Sequence, residues 1–461
     1  MKKITFPIAC FIASCAIAQD NLPTGYIPMP SQHGSCDVKE LLQNHHPVGE
    51  AHPRRRSHKL LGTEKEYVLW IDRLTNMPEY LRELYDQIGA DIQKVLSGAS
   101  SPLSDPELRK VSEGTYAYTV KTFTGSAPFT YTSSSDLQQN AANAVMSQAT
   151  AHWDQYVSFV PYLCVSINMD HPEAFWLNTK YSYFYTFGIT YSYDESTRRG
   201  TSQYEITVYF SIKDNDQNYD LRRNEFQSPA HIQQGVSQYH TAVRNILSGC
   251  PDTGSRYDKL LYLNDWLTSH NSYNSQSDES LRPDIAWSPF SALTGSVAGS
   301  GPVCEGYSRA FKVLCDQINI PCTLVSGWAR NNQTDSGEAH MWNQVKMADG
   351  QWYAIDVTWN DPVTGGTAAQ SGAETHQWFL LGSETDIQPG FPFSASHIED
   401  PFGGFSSQGS YSWNAQPAPT LSTSRYEAGS DIPDDPDPED PHTDLITVED
   451  ITNLIDKYLA Q

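Results

Sequence analysis

Cys304 follows the turn-forming Gly301-Pro302-Val303 and opens a run ending at Cys315. Tyr307, Phe311, Leu314 and Ile318 recur at three- and four-residue steps, the spacing of a helix with a buried stripe. The thiol therefore sits at or beside a helix N-terminus, where unpaired amides and the macrodipole favour a thiolate and can hold a developing oxyanion. Downstream, residues 339–347 alternate as a strand carrying His340, and residues 351–359 form a second strand carrying Asp356. A thiol with an imidazole oriented by a carboxylate is the arrangement for thiol acyl transfer. Cys304 would attack a carbonyl, His340 would take the thiol proton and return it to the leaving amine, and Asp356 would fix the imidazole tautomer and balance its charge.

Whether His340 meets Asp356 depends on the loop between the strands, Ala348-Asp349-Gly350. A two-residue turn at Asp349-Gly350 pairs Trp342 with Val357 and puts His340 and Asp356 on opposite faces. A three-residue loop with Gly350 in the left-handed conformation pairs Met347 with Gln351, Trp342 with Asp356 and His340 with Thr358. His340 and Asp356 are then diagonal neighbours on one face, about 7–8 Å apart at the backbone. A slip of one residue flips every side chain, and the three-residue loop is the register adopted here. Taken singly, each residue has a plainer reading as a core cysteine, a strand histidine or a turn-capping carboxylate; together they point to a triad. Trp342 and Trp352 share the face of His340 in this register, with Trp359 nearby, and either shape a peptide groove or fill the core.

Three blocks carry a resemblance. Cys304-Glu-Gly-Tyr-Ser-Arg-Ala-Phe311, His340-Met-Trp-Asn-Gln-Val345 and Tyr353-Ala-Ile-Asp356-Val-Thr-Trp-Asn-Asp361-Pro362 resemble the signature blocks of the transglutaminase-like superfamily, in its bacterial exported branch. Leu260–Leu267 with Asn271 and Tyr273 is similar to the helix and tyrosine before the cysteine in that branch, residues 376–381 resemble its closing strand, and residues 170–176 resemble its upstream region. The resemblance spans about residues 160–385 and is strongest from 260. It implies a papain-like, transglutaminase-like α+β core, a Cys-bearing helix on an antiparallel sheet, with Cys304, His340 and Asp356 as catalytic residues and no cofactor. The amide of Cys304 is one candidate oxyanion donor, with Trp287 or Tyr273 nearby.

Other elements must position these blocks. Helical periodicity runs over 64–96, 136–156, 231–247 and 256–269, and strand-like patterns cover 181–191 and 204–212. Residues 61–245 are read as a mixed α+β N-terminal module and 246–400 as the catalytic domain. Residues 19–60 are read as an irregular leader, with Arg54-Arg55-Arg56 a candidate protease target, and 401–443 as a low-complexity linker that turns acidic and Pro-rich at 431–441. An amphipathic helix closes the chain at 444–461, where Ile451, Leu454, Ile455, Tyr458 and Leu459 form an apolar stripe that calls for a docking partner. That helix resembles the end of a dockerin repeat, without the calcium loop that precedes such helices.

The chain has 461 residues, enough for two or more folding units. Thirty Lys and Arg against 54 Asp and Glu leave a net charge of −24, which argues against a nucleic-acid binder, since phosphate contacts need a basic face. Beyond the N-terminus no apolar run reaches the ~20 residues of a spanning helix. Met1-Lys2-Lys3, an apolar stretch to Ala18 and the small-residue site Ala16-Ile17-Ala18 read as a signal peptide cleaved after Ala18, with lipidation at Cys15 as a looser alternative. The protein is then secreted, periplasmic or at the cell surface. Six cysteines remain after cleavage, no CxxC pattern suggests zinc, and an oxidising compartment permits disulfides. A free Cys304 leaves five, so at least one more is unpaired. The functional expectation is a secreted cysteine-dependent hydrolase, a peptidase or amidase acting on protein or peptide substrates. The alternatives are a transglutaminase that forms isopeptide bonds and a non-enzymatic exported binding module with an idle triad.

Overall fold

The computed structural model describes residues 24–39, 69–276, 281–295, 301–361, 363–364, 367–368, 375–400, 411 and 415–429. The signal segment, the acidic Pro-rich stretch at 431–441, the arginine run at 54–56 and the terminal helix lie outside the described residues. The chain forms two compact units. The first gathers the described residues within 1–32, 121–154 and 184–208, and the second gathers those within 33–120, 155–183 and 209–461. Residue 245, the proposed end of an N-terminal module, lies inside the second unit. Among the described residues no helix is long and apolar enough to cross a membrane.

The first unit is built on the distal parts of three long strands, Thr115–Thr130, Lys180–Asp194 and Arg199–Asp214, and on the first half of the helix Leu137–Asp170. Phe129, Tyr131, Leu137, Ala141 and Tyr191 make its core. The strand Thr24–Met29 pairs antiparallel with Lys180–Asp194, Thr24 opposite Ser192 and Met29 opposite Phe187. The reading of 19–60 as irregular is corrected here, because 24–29 and 33–37 are strands. Pro28 argued against a strand from sequence, but Thr24–Met29 lies at a sheet edge, where proline is tolerated. The strand 115–130 has no counterpart in the sequence reading. Its second half alternates partly buried with exposed small and polar residues, so the apolar signal is faint.

The second unit holds the elements that position the candidate triad. A four-stranded antiparallel sheet runs in the order Trp352–Ile355, Glu338–Lys346, Cys322–Ala329, His397–Glu399. The helix Cys304–Gln317 packs on the two central strands, so the core is the expected α+β arrangement of a Cys-bearing helix on an antiparallel sheet. Every residue from Glu305 to Cys315 is buried. The charged ones are paired, as burial demands: Arg309 with Glu305 at 2.7 Å and Lys312 with Asp316 at 2.9 Å. Ser308 Oγ donates to the Met341 carbonyl at 2.9 Å and Asn343 Nδ2 to the Ser308 carbonyl at 2.9 Å, locking the helix to the strand of His340. Val325, Trp342, Trp378, Leu381, Phe391 and Phe393 are among the residues of a core cluster in this unit.

The sheet edge is tied down from afar in sequence. The buried Asp170 accepts the amides of Trp70 and Ile71 at 2.7 and 3.1 Å, which fixes the short helix Trp70–Arg73. Arg73 then reaches Thr323 Oγ1 at 3.0 Å and Glu399 at 3.2 Å, joining two adjacent strands. Three sequence readings change. The strand from Gln351 stops at Ile355, because Asp356 turns to cap a short helix, Val357–Asn360. Residues 376–381 are not a closing strand. Leu380 has a positive φ of 51°, and only Leu381 bridges to Ala354. Residues 415–429 are packed rather than linker, with Ala418 in the core cluster, Leu421 against it and Tyr426 buried.

Candidate active site

The hairpin has the three-residue loop. Trp352 pairs with Lys346 and Ile355 with Asn343, and the Met347 amide donates to the Gln351 carbonyl at 2.9 Å. Gly350 takes φ +76°, the left-handed conformation that closes such a loop. In this register His340 and Asp356 share a face. His340 Nε2 lies 2.8 Å from Asp356 Oδ2, both side chains being buried. A carboxylate only accepts, so Nε2 carries the hydrogen, and Nδ1 is left for the thiol. Cys304 is the first residue of its helix, partly exposed, and near enough to His340 to act on its protonation. The structure therefore brings together all three residues singled out from sequence.

The electrostatics follow from this geometry. Burial opposes a charged His340, but the Asp356 carboxylate, and after it the Cys304 thiol, outweigh that and raise its pKa well above the ordinary value. Burial likewise opposes the Asp356 anion, yet His340 and a second imidazole hold its pKa below the usual carboxylate range. The other oxygen, Oδ1, accepts the Trp359 amide at 3.1 Å. Beyond that turn, the Asn360 amide group is fixed on Asn264 Oδ1 at 2.9 Å and on the Trp378 N–H at 2.9 Å. Trp359 stacks on the His340 ring at 5.0 Å.

The second imidazole is His397, which the sequence reading missed. Its Nε2 lies 3.1 Å from the same Oδ2, and it is fully buried. It comes from the edge strand, 41 residues after Asp356, and the Ala-Ser-His-Ile-Glu run around it carries no periodic signal. Only the pairing of His397 with Ala329 across the sheet brings it here. His340, Asp356 and His397 are donor types that metals use, with ligand atoms within 4.8 Å of one another. Each Nε2 lies at hydrogen-bonding distance from the shared Oδ2, and we read the cluster as a hydrogen-bonded network.

Of the tryptophans, Trp342 is buried in the core cluster and Trp352 is also buried, so neither lines a groove; Trp359 keeps some exposure. Trp287 and Tyr273 pack with Val303, the residue before Cys304. The six cysteines among the described residues are free thiols. Cys36 lies beside Cys164 and Cys315 beside Cys322, while Cys304 belongs to neither couple.

An α+β core with a helix-borne thiol beside a histidine–carboxylate hairpin defines the class. Residues 241–357 match the family model of the transglutaminase-like superfamily, and that segment is a transglutaminase-like domain. The match includes Cys304, His340 and Asp356 and stops before His397. A solved structure of a Cytophaga hutchinsonii protein, proposed there to be a cysteine protease, is similar at 13% identity over 42% of this chain and 68% of that one, with a TM-score of 0.19. That likeness is too distant to bear on the site. Among curated proteins no relative matches the chain.

Proposed function

We propose that this protein is an exported cysteine-dependent hydrolase that cleaves amide bonds in peptides or proteins through a thioacyl enzyme. At the level of the superfamily, the matched domain supports a cysteine-dependent enzyme. The observation that carries the reading is the bond of His340 Nε2 to Asp356 Oδ2 at 2.8 Å, which leaves Nδ1 for the nearby Cys304 thiol.

The chemistry follows from these atoms. His340 Nδ1 takes the thiol proton, and the Cys304 sulfur attacks the carbonyl carbon. The carbonyl oxygen becomes an oxyanion held by the Cys304 amide at the helix N-terminus. Imidazolium gives its proton to the departing nitrogen, the C–N bond breaks, and a thioester remains. A water molecule then attacks the thioester while His340 accepts its proton. The C–S bond breaks, the carboxylic acid leaves and the thiol is restored. Throughout, Asp356 stays ionised and steadies the imidazolium. An amine in place of water would give an isopeptide bond by the same steps. Water is preferred here because it needs no second binding pocket.

The test is incubation of unfolded protein and peptide-library substrates with the purified chain and with Cys304→Ala, with and without a labelled primary amine. The expected result is release of new amino groups by the native protein alone, with little amine incorporated. Amine incorporation exceeding hydrolysis would replace the hydrolase with a transferase. Equal, negligible turnover by both proteins would leave the binding-module reading.

A further inference from the structure

The Asp356 carboxylate accepts from two imidazoles on a single oxygen, and the proposed mechanism uses only one of them. His397 sits in a cage of rings, stacked on Phe393 at 4.4 Å, edge-on to Trp359 at 4.8 Å and Trp342 at 4.9 Å, with Trp378 at 5.3 Å. Such a cage would accept a phenylalanine. A buried imidazole there costs desolvation unless its polar atoms are bonded. Its Nε2 meets Asp356 Oδ2 at 3.1 Å and its Nδ1 lies 3.1 Å from Ser396 Oγ. The carboxylate only accepts, so Nε2–H must donate to it.

We infer that His397 is a positioning residue of the active site: its Nε2–H pins Asp356 Oδ2 where His340 needs it. This rests on the reading of Cys304, His340 and Asp356 as the reacting unit. With one donor, the carboxylate could rotate about its Cβ–Cγ bond and let the imidazole tilt away from the thiol. With His340 and His397 on Oδ2 and the Trp359 amide on Oδ1, rotation breaks three hydrogen bonds at once. Either a neutral Nε2–H ring or an imidazolium can donate this bond; burial first of all pushes the His397 pKa down to about 4, against the pull of Asp356, which favours the neutral Nε2–H tautomer. The titratable groups that act on this cluster are its own members and Cys304. Glu399, two residues on, is taken up by Arg73 and the Ala418 amide.

The strand that carries His397 is held close by design of the neighbouring strand. Gly327 lies opposite His340 in the sheet, and on its other side a Cβ would meet the Ile398 carbonyl oxygen at 2.1 Å. Only glycine lets the edge strand approach this near.

The test compares the rate of Cys304 alkylation by iodoacetamide against pH in the native protein, His397→Phe and His397→Gln. Phenylalanine keeps the ring stack and removes the donor; glutamine keeps an N–H near the position of Nε2. Loss of a hydrogen bond to a charged group predicts that in His397→Phe the acid-side rise in labelling moves up by about one pH unit and the rate at pH 6 falls about tenfold. His397→Gln should stay within about twofold of native by the same reasoning. Equal behaviour of the two variants would overturn the positioning role. Native protein with no labelling near pH 6 would overturn the triad reading, and this proposal with it. Nitrogen NMR of histidine-labelled native protein gives an answer that does not depend on a variant folding. Between pH 5 and 8 the His397 ring should carry its hydrogen on Nε2, and a ring protonated on Nδ1 alone would contradict the proposal.

Discussion

At the scale of single residues the site is a chain of proton positions. His340 Nε2 is spent on Asp356, which leaves Nδ1 for the thiol, and Asp356 stays ionised because three donors converge on it. Burial lowers and Asp356 raises the pKa of both histidines, but Asp356 prevails at His340 and burial at His397, so they link stability to pH with opposite signs. His340 has a raised folded pKa, so its contribution is complete below the ordinary 6.5 and is lost as pH rises through the folded value. His397, with a folded value of about 4 against 6.5, contributes above 6.5 and loses that contribution as pH falls toward 4. Chemical denaturation at steps from pH 7 to pH 4 should show the native protein losing on the order of 3 kcal/mol more than His397→Gln across that window. Parallel curves would mean that His397 titrates normally.

At the scale of elements, the account rests on register and on close approach. Much of this was legible. Apolar spacing placed the helix behind Cys304, and Asp349-Gly350 with an extra residue set the hairpin so that His340 and Asp356 share a face. The rest was hidden for physical reasons. The long helix runs to Asp170 rather than stopping near Tyr156, because its second half is apolar on nearly all sides and shows no stripe. Asp356 reads as a strand residue but caps a helix, a choice made by the Trp359 amide three residues on. His397 depends on a non-local strand pairing with no local pattern. Gly327→Ala tests the close approach directly. Because the new methyl group meets backbone rather than a flexible side chain, it should cost about 1–3 kcal/mol in urea unfolding. It should also slow Cys304 alkylation at pH 6 in the manner of His397→Phe. Lost stability with unchanged labelling would separate the edge strand from the chemistry.

At the scale of the whole molecule, the reacting residues all belong to one of the two compact units, and that unit draws on chain from both before residue 120 and beyond 209. The N-terminal part is therefore structural support for the site: Asp170 fixes Trp70–Arg73, and Arg73 holds the strand of His397 through Glu399. The thiols add an internal reference. Cys36, Cys164, Cys315 and Cys322 are buried, whereas Cys304 and Cys250 keep some exposure. Burial raises the thiol pKa of Cys164, Cys315 and Cys250, so these three should alkylate slowly near pH 6.

The most direct test of the central claim is the alkylation rate of each cysteine against pH, mapped by mass spectrometry in native protein and in His340→Ala. Cys304 should label fastest, already near pH 6, and in His340→Ala its profile should move toward the ordinary thiol midpoint of about 8.5, while the other cysteines are unchanged. Slow labelling of native Cys304 with a midpoint near that ordinary value, or a profile indifferent to His340, would contradict an activated thiolate and the enzyme built on it.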